Sequence, residues 1–586
     1  MEANRKVQKK DVCRIAGNRR IPMNQLYPTS LKNTEKYVKN FLTIIVRDPK
    51  SPYFGKPRLA NGLYEPGCSF GLIERVAEVY CWPESIYYKS EDILQFLHLL
   101  CVGAEDAIHE DGTDDLIVSN FHQPEHFNFP AVYHAYRFLT EIPNPTEKER
   151  MITEEVYHLV ERLAEGLLSS GFHTPNHRWV HTAALFYAYN ALKTKDERFL
   201  ALAEKYLAEK IDIDAYGEFS ERSAGMYSAI SDRALCEIAV EAGKPELFEL
   251  VKRNLLLVFR YIERESLIFT QNSRRKDKGE VGSDTLFDFE RYIDICLIAY
   301  ANTHDLTFLQ IVKNAMDNRS EEKPIFVPLR IYMRYPELKK LDLDSLELPE
   351  MEKEFHAFYP DSHIVRAKTK DAVYSILAQN PDFLHITVGD IRISARMCSS
   401  FFAIAQFLPD EIEQTGEKKY RMSFHTAADY KLPFDVPPQG SEKYWTMDYK
   451  SRKSISRCEY GYTVDFEFTE KGLRMHLETD GMPNVPFKLE FAVTPNAYVR
   501  AGNALTMATP DNFICAADGD IALCNHAGDR ITIKGAFAEH FYHKDMRGSL
   551  PSPNHKFMLY FTGFSPINKT VEIICEKDQP WDFFEA

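Results

Sequence analysis

The sequence lacks the signatures of several large classes of protein. It has no G-x-x-x-x-G-K-[ST] loop and no G-x-G-x-x-G turn, which cradle nucleotide phosphates, and no G-x-S-x-G element of serine hydrolases. Nucleotide chemistry and esterase-type serine chemistry are therefore not supported. No apolar run reaches the length of a membrane-spanning helix, and the basic N-terminal stretch lacks the apolar segment of a signal peptide. We therefore expect a cytoplasmic protein without membrane attachment.

Paired cysteines and an excess of basic residues are also missing. The 11 cysteines are scattered without a C-x-x-C pair, so neither a zinc knuckle nor a redox dithiol is indicated. The net charge is −15, from 71 basic and 86 acidic residues, which argues against general binding of nucleic acids or anionic membranes. An anionic small substrate is not excluded, because a single cleft can be basic inside an acidic protein.

Helical periodicity dominates the first part of the chain. With 586 residues the sequence exceeds what one hydrophobic core usually supports, so two or more domains are expected. Apolar residues recur at helical spacing in several stretches, for example at Leu247, Val251 and Leu255. Such stripes between Thr29 and Asn318 predict roughly ten helices joined by short loops. Successive helical hairpins bury their faces on neighbours as a bundle, a solenoid or a closed toroid, and the lack of a fixed-period repeat argues against a regular solenoid.

The pattern becomes strand-like in the remainder of the chain. Tyr462, Val464 and Phe466 alternate with polar residues before a turn at Glu470–Gly472, which predicts a hairpin with one buried face. Many short strands with Gly, Pro and Asn turns, such as Asn525–Asp529, predict an antiparallel β-sandwich of about 220 residues. We therefore place a helical domain at 1–340, a linker at 341–354 and the sandwich at 355–586.

The segment His173–Trp179, with the sequence HTPNHRW, combines a helix start with a histidine. Pro175 or Asn176 can begin a helix, which places His177 in the first turn, at the positive end of the helix dipole. That position disfavours the imidazolium and keeps the ring neutral, so His177 can act as a base near pH 7. The alternative interpretation is an ordinary capped helix with a polar first turn.

The segment 212–227 carries acidic, basic and aromatic side chains at high density. Glu218, Glu221 and Arg222 lie in a loop that leads into a helix predicted to begin near Ser223, with Tyr227 one turn into that helix. Loops of this composition usually bind a ligand or cap a helix. A nearby cation such as Arg222 stabilises a phenolate, so Tyr227 is a candidate for proton transfer in a cleft.

Two further loops supply candidate binding residues. Arg274 and Arg275 lie among clustered cations and amides that could clamp a carboxylate, or that form a solvated basic loop. Asn120 and His122 lie in the string NFHQPEHF, whose H-x-x-E-H pattern on a helix is typical of zinc hydrolases. Pro124 breaks the helical spacing that two zinc ligands need. We therefore favour a loop that donates Asn120 and His122 to a cleft, with no metal and no other cofactor.

Together these segments resemble the heparinase II/III-like group of polysaccharide lyases. The strings HTPNHRW, IDIDAYGEFSERSAGMYS and NFHQPEHF look most similar to a bacterial subgroup of heparinase-like proteins. The group carries an Asn-His pair at a helix start and a later Tyr in a segment rich in Gly, Glu and Arg. Here Tyr227 follows His177 by 50 residues, a slightly shorter spacing than in the group. Over nearly the whole chain, the resemblance implies an incomplete (α/α) toroid of helical hairpins followed by an antiparallel β-sandwich.

The resemblance also implies an activity and roles for the candidate residues. The expected substrate is a uronate-containing oligosaccharide or polysaccharide such as a glycosaminoglycan, and a homo-oligomer is compatible with this expectation. Asn176 would neutralise the substrate carboxylate with help from Arg222, Arg274 or Arg275. His177 and Tyr227 would share abstraction of the C5 proton and protonation of the 4-O leaving group. The remaining expected substrate-binding residues are Asn120, His122, Arg178, Trp179, Glu218 and Glu221.

Two other functions remain open from the sequence. The first is a glycoside hydrolase on the same scaffold, because toroid hydrolases use paired carboxylates and Asp212, Asp214, Glu218 and Glu221 are candidates. The second is a carbohydrate-binding protein without catalytic activity, which would bind an oligosaccharide and leave it intact.

Overall fold

The computed structural model describes residues 25–59, 61–115, 125–264, 267–279, 285–318, 324–544 and 546–580. Within these ranges the chain divides into two compact units. The first contains the described residues up to Ile268 together with Leu286–Met351, and the second contains Phe269–Thr285 together with the described residues from Glu352 onward. The sequence placed the change of structure between 341 and 354, and it gave no sign that Phe269–Thr285 groups with the second unit.

The first unit is built from α-helices, as the periodicity predicted. The described helices are α1 (Leu26–Leu42), α2 (Pro66–Cys81), α3 (Glu91–Glu105), α4 (Glu125–Thr140), α5 (Glu147–Ser169), α6 (Pro175–Ala191), α7 (Glu197–Ala208), α8 (Tyr227–Glu241), α9 (Leu247–Tyr261), α10 (Ile293–Thr303), α11 (Leu306–Asn318) and α12 (Leu329–Arg334). A short hairpin of β1 (Ile262–Arg264) and β2 (Leu267–Ile268) follows α9. Among the described helices, none is both long and apolar enough to cross a lipid bilayer.

The helices form an inner and an outer ring. Helices α6 and α10 are buried along nearly their whole length, whereas α7 buries one face only, which is the pattern of an inner and an outer layer. The inner helices contact one another in the order α2, α4, α6, α8, α10 and α12, and α1 joins α12 to α2. Helices α4, α6 and α8 run in the same direction, because His126 of α4 meets His177 of α6 near the N-terminal ends and Asn190 of α6 meets Glu241 of α8 near the C-terminal ends. This arrangement is the predicted (α/α) toroid.

The second unit is a sandwich of two sheets. Its strands are β3 (Phe355–Tyr359), β4 (Ile364–Lys368), β5 (Val373–Leu377), β6 (Leu384–Val388), β7 (Ile391–Ser399), β8 (Glu413–Gly416), β9 (Lys419–Lys431), β10 (Ser454–Phe468), β11 (Gly472–Gly481), β12 (Pro486–Val493), β13 (Tyr498–Ala501), β14 (Ala504–Met507), β15 (Phe513–Cys515), β16 (Ile521–Cys524), β17 (Arg530–Lys534), β18 (Phe557–Phe564) and β19 (Asn568–Glu576). One sheet has the order β14-β13-β16-β17-β19-β11-β10-β9-β8, and the other has the order β15-β18-β12-β7-β6-β5-β4-β3. All pairs are antiparallel except β15 with β18.

Alternation of side chains along the strands builds the core of the sandwich. Val464 and Phe466 of β10 point inward from one sheet, and Leu489 and Phe491 of β12 point inward from the other. The eight-stranded sheet is buried on both faces in β5, β6 and β7. Part of its second face is covered by Phe269, whose ring packs against two side chains of that face, those of His385 and Arg366.

Candidate active site

The N-terminus of α6 carries Asn176 and His177, the pair that the sequence singled out. Helix α6 begins at Pro175, whose fixed φ suits the first helical position, and Thr174 precedes it in extended conformation. Both Asn176 and His177 are buried, with 1% and 6% of their surfaces exposed. The Asn176 Oδ1 accepts a hydrogen bond of 3.2 Å from the Thr174 hydroxyl, and no partner for the Asn176 Nδ2 is found among the described residues. A buried amide N–H₂ without a protein partner is costly, so this group is available to a ligand or a water that accepts from it.

His177 is held by a second histidine. The Nε2 of His126, near the start of α4, lies 3.1 Å from the Nδ1 of His177. The ring of Phe127 meets the His177 ring edge-on at 4.6 Å between centroids. Side chains near the N-termini of two helices therefore fix the orientation of the His177 ring.

The contact between His126 and His177 couples the tautomers of the two rings. Burial, with a smaller contribution from the charge of His173, lowers the pKa of His126 to about 3. His126 is therefore neutral near pH 7, and when His177 is neutral one proton lies between the two nitrogens. If His177 donates that proton, its Nε2 is an unprotonated base. If His126 donates it, the His177 Nε2 carries a proton and can act as an acid.

Asp212 fastens the loop 212–226 to α6. Its Oδ1 accepts hydrogen bonds from the Trp179 indole N–H at 2.7 Å and from Arg178 Nη2 at 3.2 Å, and its Oδ2 accepts from the Ser220 hydroxyl. Arg178 also pairs with Glu209 at 2.9 Å, and its guanidinium stacks 4.2 Å from the Trp179 ring centroid. Arg178 and Trp179 thus have clear structural contacts, and their assignment to the substrate stays a prediction.

A tight turn at the start of this loop is anchored on α9. The Asp214 carboxylate accepts from the backbone N–H groups of Tyr216 and Glu218, both at 2.8 Å. Gly217 has φ = +97°, and a Cβ at this position would lie 2.5 Å from the Arg253 carbonyl oxygen. Only glycine fits this close approach. The buried Asn254 amide donates to the Gly217 carbonyl at 2.7 Å, so the turn is fixed at a single position against α9.

Glu218 is buried at the end of this turn with 4% of its surface exposed. The Tyr261 hydroxyl donates to its Oε2 at 2.5 Å. Burial raises the pKa of Glu218 to about 7, although the Tyr261 hydrogen bond and the charge of Arg222 act in the opposite direction. A carboxyl group that is partly protonated at neutral pH can donate as well as accept a hydrogen bond.

The raised pKa of Glu218 predicts a loss of stability as the pH rises. Between the unfolded value of 4.5 and the folded value of about 7, the folded state holds a proton that the unfolded state has lost, so folding becomes less favourable by up to about 3 kcal/mol. Glu218→Gln removes this titration and keeps an acceptor for Tyr261. We expect its melting temperature, relative to wild type, to rise between pH 5 and pH 8, as measured by thermal unfolding.

The matched control for this prediction is Glu161→Gln, at an exposed position of α5. Its melting temperature should follow that of the wild type at both pH values. A Glu218→Gln protein with the same offset from wild type at pH 5 and at pH 8 would show that Glu218 ionises normally in the folded state.

The loop ends at Tyr227, where α8 begins. The prediction that this helix begins near Ser223 was wrong, because α8 begins at Tyr227, whose backbone N–H donates to the Ser223 hydroxyl at 3.1 Å. Tyr227 is half-buried in the first turn. Arg222 has φ = +51°, a conformation that non-glycine residues adopt rarely and most often at functional sites. Glu221 and Arg222 are both buried. Helices α6 and α8 pack together in parallel, so Tyr227 and His177 lie at the same end of adjacent inner helices.

The other predicted site residues belong to the second unit or fall outside the described ranges. Arg274 and Arg275 belong to the second unit, on the loop whose Gln271 carbonyl accepts from the Asn380 side chain at 3.0 Å. Asn120 and His122 lie outside the described residues. No group of three or more His, Cys, Asp and Glu side chains arranged for a metal is found within the described part of the chain.

Sequence reasoning missed two residues of this site. In the sequence, His126 was noted only as part of the H-x-x-E-H string. Its position just after Pro124, at a helix start like that of His177, was the local pattern that could have indicated it. Tyr261 carried no signal, because its contact with Glu218 joins residues 43 apart along the chain.

Comparison with known proteins gives structural neighbours only. No family model matches the sequence, and no curated protein sequence matches it. Solved structures do match: the heparan sulfate lyase HepC from Pedobacter heparinus has a TM-score of 0.53 at 8% identity, covering 94% of this chain and 88% of that one. A chondroitinase AC lyase has a TM-score of 0.50 at 12% identity, covering 95% and 82%.

The chondroitin AC lyase of Streptomyces coelicolor A3, solved with chondroitin sulphate, has a TM-score of 0.52 at 10% identity and covers 95% of this chain and 80% of its own. At such low identities the likeness is one of fold. It agrees with the helical toroid and the two-sheet sandwich described above. The chain has the toroid-and-sandwich fold of the heparinase-like polysaccharide lyases.

Proposed function

We propose that the protein is a polysaccharide or oligosaccharide lyase that cleaves a uronate-containing glycan by β-elimination. The observation that carries the proposal is the buried Asn176–His177 pair, in which an amide donor that has no hydrogen-bond partner among the described residues stands next to a histidine oriented by His126. The solved lyases of the same fold, which act on heparan sulfate and chondroitin sulphate, support the same class of substrate.

The chemistry of a uronate lyase needs three groups. The C5 proton is very weakly acidic until the neighbouring carboxylate is neutralised, so the site needs a donor to that carboxylate, a base and an acid. In this proposal the Asn176 amide donates to the carboxylate, and the buried cation Arg222 adds charge neutralisation. Removal of the C5 proton then forms the C4–C5 double bond, and the C4–O bond breaks as the leaving oxygen takes a proton.

His177 and Tyr227 are the proposed proton-transfer pair. The contact with His126 provides both tautomers of His177, and the half-buried Tyr227 hydroxyl is the second group in the same region of the inner ring. Which of the two removes the C5 proton depends on whether the leaving group is on the same face of the sugar as that proton. Glu218 and Glu221 are proposed to contact sugar hydroxyls, as acceptors or, when protonated, as donors.

The role of Asn176 is testable by two substitutions. We expect Asn176→Ala to lower kcat by about 10²–10³-fold, as removal of one preorganised donor to a developing anion does. Asn176→Asp should lower it further, because a carboxylate repels the substrate carboxylate. The rate is measured by the ultraviolet absorbance of the unsaturated uronate product.

Asn190→Ala is the control for this prediction, because Asn190 lies at the other end of α6, where it contacts Glu241. It should keep the wild-type kcat. An Asn176→Ala protein whose KM rises while its kcat is unchanged would show that Asn176 binds the ground state and the transition state equally, which contradicts the proposed role.

A glycoside hydrolase is the second candidate, and the raised pKa of Glu218 favours it specifically. A carboxylic acid that stays protonated near neutral pH is what protonates the leaving group in such enzymes. Asp212 and Asp214 already bind the loop, so Glu218 and Glu221 are the remaining carboxylates for this chemistry. Loss of activity in Glu218→Gln, retained activity in His177→Ala, and hydrolysed product ends without ultraviolet absorbance would establish the hydrolase.

A further inference from the structure

The sandwich unit contains a cavity of about 750 Å³. None of the candidate active-site residues lines this cavity. It lies beside the parallel pair β15 and β18, and residues of the second unit alone line it. Its size falls within the range of small-ligand sites, about 300–1,000 Å³. The side chains that matter for its chemistry are Lys488, Phe513, His543, Lys544, Arg547 and Tyr560.

The cavity is bounded by a loop between His543 and Pro551, and two buried cations bind the two ends of this loop. Lys488, 3% exposed, donates to the His543 carbonyl at 3.2 Å and to the Glu490 carboxylate at 2.8 Å. Arg396, 7% exposed, binds the Asp382 carboxylate bidentately at 2.9 Å and donates to the Pro551 carbonyl at 2.9 Å. The loop is therefore anchored at both ends on the sheet, which makes the cavity preorganised rather than a gap under a loose loop.

The middle of the same loop is also fixed. The Leu550 N–H donates to the Gln406 side chain at 3.2 Å. Gly548 has φ = +94°, and a Cβ there would lie 2.6 Å from Ala403, so the loop backbone packs directly on this neighbouring segment. The shape of the cavity is thus set by contacts that exist without a ligand.

One wall of the cavity is aromatic. The His543 ring lies 4.5 Å from the Phe513 ring and 4.4 Å from the Tyr560 ring, measured between centroids. Phe513 is 52% exposed, although a large apolar side chain is usually covered. An exposed aromatic ring such as that of Phe513 suits the apolar face of a sugar ring, whose C–H groups contact the aromatic face.

The rest of the lining is basic, in a protein whose net charge is −15. Lys544 and Arg547 are exposed, and neither has an ion pair among the described residues. Among the described lining residues, Asp511 is the only acid. Two of the three N–H groups of Lys488 have partners, which leaves the third for a ligand. Exposed cations that have no ion pair among the described residues, such as Lys544 and Arg547, favour an anionic ligand at this cavity.

We propose that this cavity is a carbohydrate-binding site for a short oligosaccharide that carries carboxylate or sulfate groups. The aromatic wall stacks on a sugar ring, while Lys488, Lys544 and Arg547 bind the anionic groups. A free inorganic anion would use the cations and leave the aromatic wall unused. The proposal does not depend on the lyase activity, because it rests on residues of the sandwich unit alone.

Hydrogen exchange of the full-length chain tests the proposal, with a heparin-derived tetrasaccharide as the probe. The chain carries His177→Ala, so that the probe stays intact if the protein is a lyase. We expect the probe to slow exchange in peptides covering 541–556. In Lys544→Ala/Arg547→Ala the apparent affinity measured at these peptides should fall by about tenfold, as expected for two exposed charge pairs. Lys370→Ala, an exposed lysine in the turn between β4 and β5, should leave it unchanged.

A second variant separates stacking from charge. Phe513→Ala, at a half-exposed position, should weaken the protection by the tetrasaccharide without changing the response to inorganic sulfate. No protection of 541–556 by the tetrasaccharide would overturn the proposal. So would equal protection by maltotetraose, which is neutral, or by inorganic sulfate at matched ionic strength, which would make this a simple anion site. Because exchange is read without cleavage, protection in a chain without lyase activity would support this site while the proposed function fails.

Discussion

Replacing His177 with alanine is expected to lower kcat on a uronate-containing glycan by about 10³–10⁴-fold, the upper range for loss of a general acid or base. His177 lies in the first turn of α6, and its Nδ1 contacts a histidine that is neutral near pH 7, His126. Initial rates of the ultraviolet absorbance increase measure the effect.

Two further variants make this result interpretable. His177→Gln keeps a polar side chain of similar reach beside His126 and Phe127, so it separates loss of chemistry from a cavity left by alanine. His158→Ala, on the exposed face of α5, should retain wild-type activity. A folded His177→Ala protein with more than about a tenth of the wild-type kcat would exclude His177 as an acid or base of this reaction.

Replacing Tyr227 with phenylalanine is expected to lower kcat by about 10²–10³-fold with little change in KM. The substitution removes only the hydroxyl and keeps the ring in the first turn of α8, so the hydrogen bond from the Tyr227 backbone N–H to the Ser223 hydroxyl is preserved. If Tyr227 is the acid or the base, its hydroxyl acts in the transition state and not in ground-state binding. Steady-state kinetics over a range of substrate concentrations separates the two parameters.

Tyr216→Phe is the matched control, because Tyr216 lies in the same loop and is 43% exposed. Its kcat and KM should equal those of the wild type. Equal effects of the two substitutions would mean that the loop is generally sensitive to change, and a Tyr227→Phe protein with unchanged kcat would remove Tyr227 from the mechanism.

The fold was predictable where the signal is local. The alternation of Tyr462, Val464 and Phe466 gave the hairpin of β10 and β11, in which Phe466 pairs with Met475 across the turn. The turn Asn525–Asp529 is also present, closed by a hydrogen bond of 2.7 Å between the two side chains. Period-two alternation and side-chain turns need only neighbouring residues, so they can be read without a structure.

The candidate site was predictable only in part, because its contacts are long-range. The start of α6 follows from Pro175, which is a local signal, whereas the contact between His126 and His177 joins residues 51 apart. Such a pairing depends on how the inner helices align, and helical periodicity does not determine that alignment. The start of α8 was misplaced because Ser223 suits a cap and a first turn equally well in sequence.

The grouping of Phe269–Thr285 with the second unit was not predictable for the same reason, because it also depends on long-range contacts. The segment stands within the helical part of the chain, yet it groups with the sandwich, where the Phe269 ring packs on His385 and Arg366. These partners lie about a hundred residues further along the chain, beyond the reach of any pattern read from local sequence. The position of Arg274 and Arg275 in the second unit follows from that grouping.

The most direct measurement of the proposed function is the ultraviolet absorbance of reaction mixtures in which the purified full-length chain meets a panel of uronate-containing glycans. The panel should include heparan sulfate, chondroitin sulfate, hyaluronan and alginate oligosaccharides. We expect at least one of them to give an absorbance increase from the C4–C5 double bond, and this increase should be lost in both His177→Ala and Tyr227→Phe. Cleavage that yields saturated, hydrolysed ends without that increase, or an increase that survives in His177→Ala, would contradict a lyase that acts through His177.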